Sequence, residues 1–367
     1  MKIVQVAYSG FGGLGSVVFS LIAADRARRH LWSVGFVGDV PLDSSYPARC
    51  KELSVEYAAF RSTPGRPYRA WLGLGRWLRA VRPDVIMCHS INSILPCRWA
   101  ALRTGARLLA VEHTPNQVKT RSEWAASRVC MLLADRVVVL TPEYREELAR
   151  AHGRRIRPAK VTVIPNGIDT KAFRPGACSR QETGPTVRLG MAARFSFSKR
   201  QDLVVQVVER LAALRPGLAV QLDLAGDGSE LGRVRELAER SPEGTRVRFV
   251  GLLAESDVAS WMRGLDIYVH ATEGETLSTS LLQAMATGLP IVASDIPGVH
   301  NLLVGEDAFG VCVPNEAEAF AQAILALADD PVHRLALGQR ARARVVEVYS
   351  QEAMLQRYLA VIAGCRS

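Results

Sequence analysis

Aromatic residues make up only 7% of this 367-residue chain. No uninterrupted apolar run reaches the roughly 18 to 20 residues that a membrane-spanning helix needs. The opening, MKIVQVAYSGFGG, lacks a basic n-region, a long apolar core and a small-residue cleavage site, so it does not read as a secretory signal. A soluble, cytoplasmic protein is expected. Cysteine is used sparingly and without pattern. The seven (Cys50, Cys88, Cys97, Cys130, Cys178, Cys312, Cys365) are odd in number and never spaced Cys-x-x-Cys, which argues against a disulfide framework and a zinc site and fits a reducing compartment. Asp-x-Asp is absent, as is any His/Cys cluster of metal-ligand spacing, so no metal is expected.

Charge is present and unevenly placed. The formal net charge is +10, and residues 1–180 hold 28 Lys and Arg against 13 Asp and Glu, whereas the remainder is slightly acidic. Arginine dominates the first half, at Arg26, Arg28, Arg29, Arg61, Arg66, Arg69, Arg76, Arg79, Arg82, Arg150, Arg154, Arg155 and Arg157. Such a face suits an anionic membrane surface or a lipid-linked acceptor, or else is simply solvated. Nucleic acid is not expected, because no finger, zipper or aromatic-rich single-strand motif accompanies the charge.

Apolar strand-like runs alternate with helical spacing. The first half carries KIVQVAY, WSVGFVG, DVIMCH, ARLLAVEH, RVVVLT and KVTVIPNG; the second restarts with VRLGMAARF, LAVQLDLAGDG, RVRFVG, LDIYVHATEG, LPIVASD and FGVCVP. The alternation predicts two parallel sheets covered by helices, hence an α/β protein of two Rossmann-like domains. Gly, Pro, Ser and Thr interrupt the pattern between Pro165 and Pro185, which places the seam there. The expected domains are 1–172, 173–350 and a C-terminal helix, 351–367, that packs wherever its apolar face finds cover. Ligands of open parallel sheets bind outside the carboxyl ends of the strands, so two such sheets facing one another make a cleft lined by loops of both.

The first loop, Ser9 to Gly15, fits Gly-x-Gly-x-x-Gly through Gly10, Gly12 and Gly15, and Asp39 ends the next strand. Glycines permit close approach of a ligand and a helix start attracts phosphate. An NAD site, a sugar or phosphate loop, and close packing all satisfy this loop.

The second half is more specific. Arg194 and Lys199 leave the end of one strand and lead into a helix, a combination suited to a diphosphate. Between the strands DIYVHA and PIVASD lies TEGETLSTSLLQAMATGLP, in which Ser and Thr cap a short helix that Gly288 and Pro290 end. Arg194 with Lys199, VIPNGID, LAGDGSEL, VRFVGLL and GETLSTSLLQAMATGLPIVASDIPG occur in the order found in glycosyltransferase family 4, the retaining transferases of GT-B fold, and the chain resembles that family nearly end to end.

The resemblance implies a retaining glycosyltransferase that moves a sugar from a nucleotide-sugar donor, with a UDP-sugar favoured, to an acceptor hydroxyl. It implies no metal and no separate cofactor. The expected setting is lipid-linked glycan, lipopolysaccharide or polysaccharide synthesis at the inner face of the cell membrane. It assigns His113, Arg194, Lys199 and Glu275 to catalysis, and Gly12, Gly13, Leu252, Thr276, Leu277, Ser278, Thr279 and Gln283 to donor binding. Glu275 stands for the first acid of the family's Glu, seven residues, Glu motif, leaving Glu273 as a solvated loop acid. Two positions depart from the pattern. Gln283 replaces the second Glu, and an amide offers one accepting oxygen where a carboxylate offers two. Asn301 replaces a further acid. A nucleotide-sugar-binding partner subunit of low activity is therefore an alternative, and an NAD-dependent oxidoreductase another.

Overall fold

A computed structural model describes residues 1–10, 13–63, 66–114, 116, 119–153, 160–176, 186–305 and 307–364. Gly12, Arg154, Arg155, Arg157, Cys178, Cys365 and the expected linker from residue 177 to 185 lie outside the described residues. The chain divides into two compact units, one formed by Met1–Gly167 with Gln351–Ser367 and the other by Ile168–Ser350.

The first unit holds a seven-stranded parallel sheet. Its strands are β1 (Lys2–Tyr8), β2 (Leu31–Gly38), β3 (Glu56–Arg61), β4 (Val85–Cys88), β5 (Arg107–Val111), β6 (Arg136–Val139) and β7 (Val161–Val163), in the order β3-β2-β1-β4-β5-β6-β7. Six of them are the apolar runs legible in the sequence. The seventh, β3, went unrecognised because this edge strand alternates exposed with half-buried residues and carries a charge at each end. The central strands are buried on both faces, as parallel strands covered by helices must be.

The expected boundary at residue 172 falls instead at Gly167, and the last helix, Gln351–Gly364, belongs to the first unit. Its Met354, Leu355, Tyr358 and Ile362 pack with Ile3 and Leu21 in one cluster, and the Arg107 guanidinium donates to the Ile362 carbonyl. Burying aliphatic side chains of this kind contributes about 1.5–3 kcal/mol apiece.

The second unit repeats the architecture with six parallel strands, β8 (Thr186–Ala192), β9 (Ala219–Ala225), β10 (Val247–Gly251), β11 (Ile267–His270), β12 (Ile291–Ser294) and β13 (Val311–Val313), in the order β10-β9-β8-β11-β12-β13. All six were expected. In each sheet the strand order reverses once, between β1 and β4 and between β8 and β11. Chains leaving two strands at such a point diverge to opposite faces, which opens a crevice at their carboxyl ends.

Candidate active site

The reversal point of the second sheet gathers the residues the sequence singled out. After β8 the chain runs through Arg194 to Lys199, and after β11 through Thr272 to Ser278. The first of these loops is shaped by two glycines of the segment after β9. Gly226, at φ 136°, would place a Cβ 2.1 Å from the Ala193 carbonyl oxygen, and Gly228, at φ 153°, one 2.2 Å from that of Phe195. Only glycine tolerates both the conformation and the approach. The Phe195 N–H donates to the Asp227 carbonyl at 2.9 Å, locking the two loops together.

From that loop the Lys199 ammonium reaches the Glu275 carboxylate in an ion pair and lies 3.4 Å from Thr272 Oγ1. His270, at the end of β11, brings its Nε2 to 3.2 Å from Glu275 Oε1. Burial alone would raise the Glu275 carboxyl, but Lys199 and His270 outweigh it and hold the group at about 2. Burial pushes His270 down, against the pull of Glu275. Glu275 is thus a fixed carboxylate beside a fixed ammonium. Its backbone is held as closely, since a Cβ on Gly298 would come within 2.1 Å of the Glu275 carbonyl oxygen. Beneath it, the Thr272 N–H donates to Ser294 Oγ at 2.8 Å and Asn315 Nδ2 donates to the Thr272 carbonyl at 3.1 Å.

The helix that follows, Thr279–Thr287, starts on Ser278, whose Oγ accepts from the Leu281 N–H at 3.4 Å, and ends at Gly288 with φ 77°. Its first turn carries the partial positive charge of a helix start. Thr276, Leu277 and Ser278 are buried, and Thr276 Oγ1 has no partner among the described residues. Gln283 is buried in the second turn of this helix. Arg194 is exposed, as are Leu252 just beyond β10 and Asn301. Glu273, expected to be solvated, is partly exposed and pairs with Arg200 at 2.5 Å rather than with Lys199.

In the first unit, Gly13 opens the helix Gly13–Ala24 directly after the β1 loop. Gly10 and Gly15 have a packing reason to be glycine. A Cβ on Gly10 would meet the Tyr8 ring at 2.6 Å and one on Gly15 the Tyr46 hydroxyl at 2.4 Å, while that hydroxyl donates to the Gly10 carbonyl at 3.0 Å. His113 follows β5, and its Nε2 lies 3.0 Å from Nδ1 of His89, which follows β4. His89 Nε2 lies in turn 3.0 Å from Gln5 Oε1 on β1. The neighbouring Glu112 is fully buried, paired with Lys119 and accepting from the hydroxyls of Ser127 at 2.6 Å and Tyr144 at 2.9 Å. That network ties down both ends of the segment holding His113. Sequence reasoning missed His270, His89, Gln5 and Gly298. A histidine at the carboxyl end of a strand beside a reversal point was the available signal for the first two.

The second unit thus gathers a carboxylate, an ammonium and a helix start at the reversal point of a Rossmann-like sheet, and the first unit holds a sheet of the same kind. The model described as Glycosyltransferase Family 4 matches residues 11–172, and that described as Glycosyl transferases group 1 matches residues 186–330. The chain belongs to this family of enzymes. It is 30% identical over 221 residues to the D-inositol 3-phosphate glycosyltransferase of Kribbella flavida, a match spanning 57% of this chain and 51% of that one. It is 24% identical over 302 residues to the glycogen synthase of Mycobacterium tuberculosis, covering 78% of this chain and 71% of that protein. Among solved structures, HepE of Anabaena in complex with UDP-glucose superposes with a TM-score of 0.83 at 19% identity, covering 99% of this chain and 100% of that one. At that identity the likeness is one of fold. The family match accounts for both halves, which an oxidoreductase reading of the first glycine loop leaves unexplained.

Proposed function

We propose that the chain transfers a sugar, with retention, from a nucleotide-sugar to an acceptor hydroxyl, and that the second unit binds the donor. The observation that carries this reading is the Lys199–Glu275 pair beside the start of the helix Thr279–Thr287. Departure of the nucleoside diphosphate puts negative charge on phosphate oxygens, and a preorganised ammonium, the Arg194 guanidinium and helix N–H groups lower that barrier. Glu275, fixed as a carboxylate, accepts from donor-sugar hydroxyls. In the first unit, His113 is assigned to a substrate hydroxyl. The bond from the anomeric carbon to the diphosphate oxygen breaks, the acceptor oxygen bonds the same carbon on the same face, and the acceptor proton passes to the leaving diphosphate.

A UDP-sugar is the favoured donor, supported by the UDP-glucose complex of HepE. Because Arg194, Lys199 and the helix start meet the diphosphate charge, activity is expected to survive EDTA.

The acceptor is proposed to be a lipid-linked or envelope glycan, reached at an anionic membrane surface. Among the described residues no helix is long and apolar enough to cross a membrane. Contact would instead be peripheral, through the adjacent helices Tyr68–Val81 and Ile94–Thr104. Residues 57–111 hold nine arginines and the single acid Asp84. Tyr68, Leu72, Leu95, Trp99 and Leu102 are exposed beside them, and the Arg79 guanidinium lies 4.4 Å from the Trp99 ring centre. Exposed apolar side chains among cations favour a lipid surface over a merely solvated one.

The reading is tested by a thermal-shift panel with UDP, GDP, ADP, TDP and NAD at equal concentration. A ligand at about 100 times its Kd adds roughly 2.7 kcal/mol, so one nucleoside diphosphate should stand out. A shift with NAD alone refutes the proposal. With the donor found, the product's anomer by NMR decides retention, and turnover by the purified single chain separates an enzyme from a low-activity partner subunit.

A further inference from the structure

Three side chains, one on a strand and two just past the ends of its neighbours in the first sheet, form a continuous hydrogen-bonded row. Gln5 sits in mid-β1, His89 just after β4 and His113 two residues beyond β5, and β1, β4 and β5 are neighbours. Gln5 is fully buried and His89 is 4% exposed. The row is anchored at one end by a group with no choice of role. The Gln5 Nε2 amide lies 3.0 Å from the Val18 carbonyl, which can only accept, so the amide nitrogen faces Val18 and Oε1 faces His89. Oε1 accepts, so His89 Nε2 carries the proton. The His89 backbone is fixed too, its N–H donating to the Val6 carbonyl at 2.9 Å. A neutral His89 protonated on Nε2 has a bare Nδ1, which accepts from His113 Nε2 at 3.0 Å. Both rings are kept neutral by burial, which pushes His113 down to about 4 and, together with the neighbouring His113, His89 well below its ordinary value.

We infer that Gln5 and His89 are positioning residues that hold His113 in its Nε2–H tautomer, so that His113 meets its ligand through a bare Nδ1, as an acceptor for a hydroxyl. Among the described residues nothing partners that Nδ1. In the opposite tautomer the same atom would be a donor, suited to a carbonyl or phosphate oxygen. A hydroxyl can also donate, and a sugar or polyol presents little else. The row therefore selects the hydroxyl face of a substrate and disfavours an anionic group at this position. The assignment of tautomer stands on the row alone; its consequence for substrate rests on the proposed glycosyltransferase reading of His113.

The test is two-dimensional NMR of ring nitrogens in the full chain labelled with ¹⁵N-histidine. His113 is expected to show a protonated Nε2 and an unprotonated Nδ1, and His89 the same pattern. In His89→Leu the preference at His113 should be lost and kcat/KM should fall about three- to tenfold, the worth of one neutral hydrogen bond. His89→Asn, whose Oδ1 accepts in place of Nδ1, should restore both. In Gln5→Leu the acceptor for His89 Nε2 is gone, and the Nε2–H preference of both rings should weaken. A protonated Nδ1 at His113 in the wild type, or a pattern unchanged by His89→Leu, overturns the inference. The expected tautomer together with full activity in His113→Ala leaves the row intact and removes His113 from substrate binding.

Discussion

The Lys199 ammonium and the Glu275 carboxylate are paired across the point where the second sheet reverses its strand order, one arriving from β8 and the other from β11. Neither is held by its own element. Each depends on a loop clamped by glycine against a neighbouring backbone, Gly226 and Gly228 for the first and Gly298 for the second. If Lys199 and Arg194 stabilise the departing diphosphate, Lys199→Ala and Arg194→Ala should each cut turnover by about two to three powers of ten, the usual cost of one such donor. A loss below about fivefold in steady-state kinetics would remove that residue from the mechanism.

The same pair sets an acid limit. The folded Glu275 carboxyl sits at about 2 against an ordinary 4.5, so the folded state favours its ionised form. That preference is worth about 3 kcal/mol, is fully present above pH 4.5 and disappears as pH falls towards 2. Urea midpoints of the wild type and Glu275→Gln should therefore differ most at neutral pH and converge on acidification. A gap independent of pH would mean that Glu275 is not held ionised in the folded protein.

Gln283 offers a gain-of-function test. A carboxylate at this buried helical position accepts from two hydroxyls at once, and hydrogen bonds to charged groups are worth more than neutral ones. Gln283→Glu is expected to lower the Kd for the preferred nucleoside diphosphate by about fivefold or more, measured by calorimetry. Unchanged or weaker binding would show that the amide costs the nucleotide site nothing.

Binding to vesicles checks the proposed membrane face. Anionic phosphatidylglycerol vesicles should retain the protein and neutral phosphatidylcholine should not, with binding weakening as salt screens the arginines. Leu72→Asp with Leu102→Asp, both at exposed positions, should reduce retention about tenfold or more, since each removes an apolar anchor worth about 0.8 kcal/mol per buried CH₂. Binding that tracks charge but ignores both leucines would point to a soluble polyanion instead.

What could be read in advance follows from how local the determinants are. β1, the six strands of the second sheet and the helix Thr279–Thr287 announce themselves in contiguous residues, through apolar runs, a Ser cap and a stopping glycine. The pairing of Lys199 with Glu275 was within reach because both lie in motifs at strand ends. Gln5 was not, because a lone polar residue in the middle of an apolar strand gains meaning only when β4 is known to lie beside β1. His270 offered only its place at the carboxyl end of a strand that otherwise reads as core. The C-terminal helix had a visible apolar face, but its partners, Ile3 and Leu21, lie at the far end of the sequence.

That last arrangement has a consequence for how the chain comes into being. Synthesis proceeds from the N-terminus, and the first sheet is complete once Val163 has emerged. The apolar cluster of Ile3, Leu109 and Val138 with Leu21 of the first helix then waits through the making of the whole second unit for Met354, Leu355, Tyr358 and Ile362. The second unit, continuous in sequence, has no such wait. The half made first is thus the half finished last, and throughout that interval it exposes a sticky surface that a chaperone can hold.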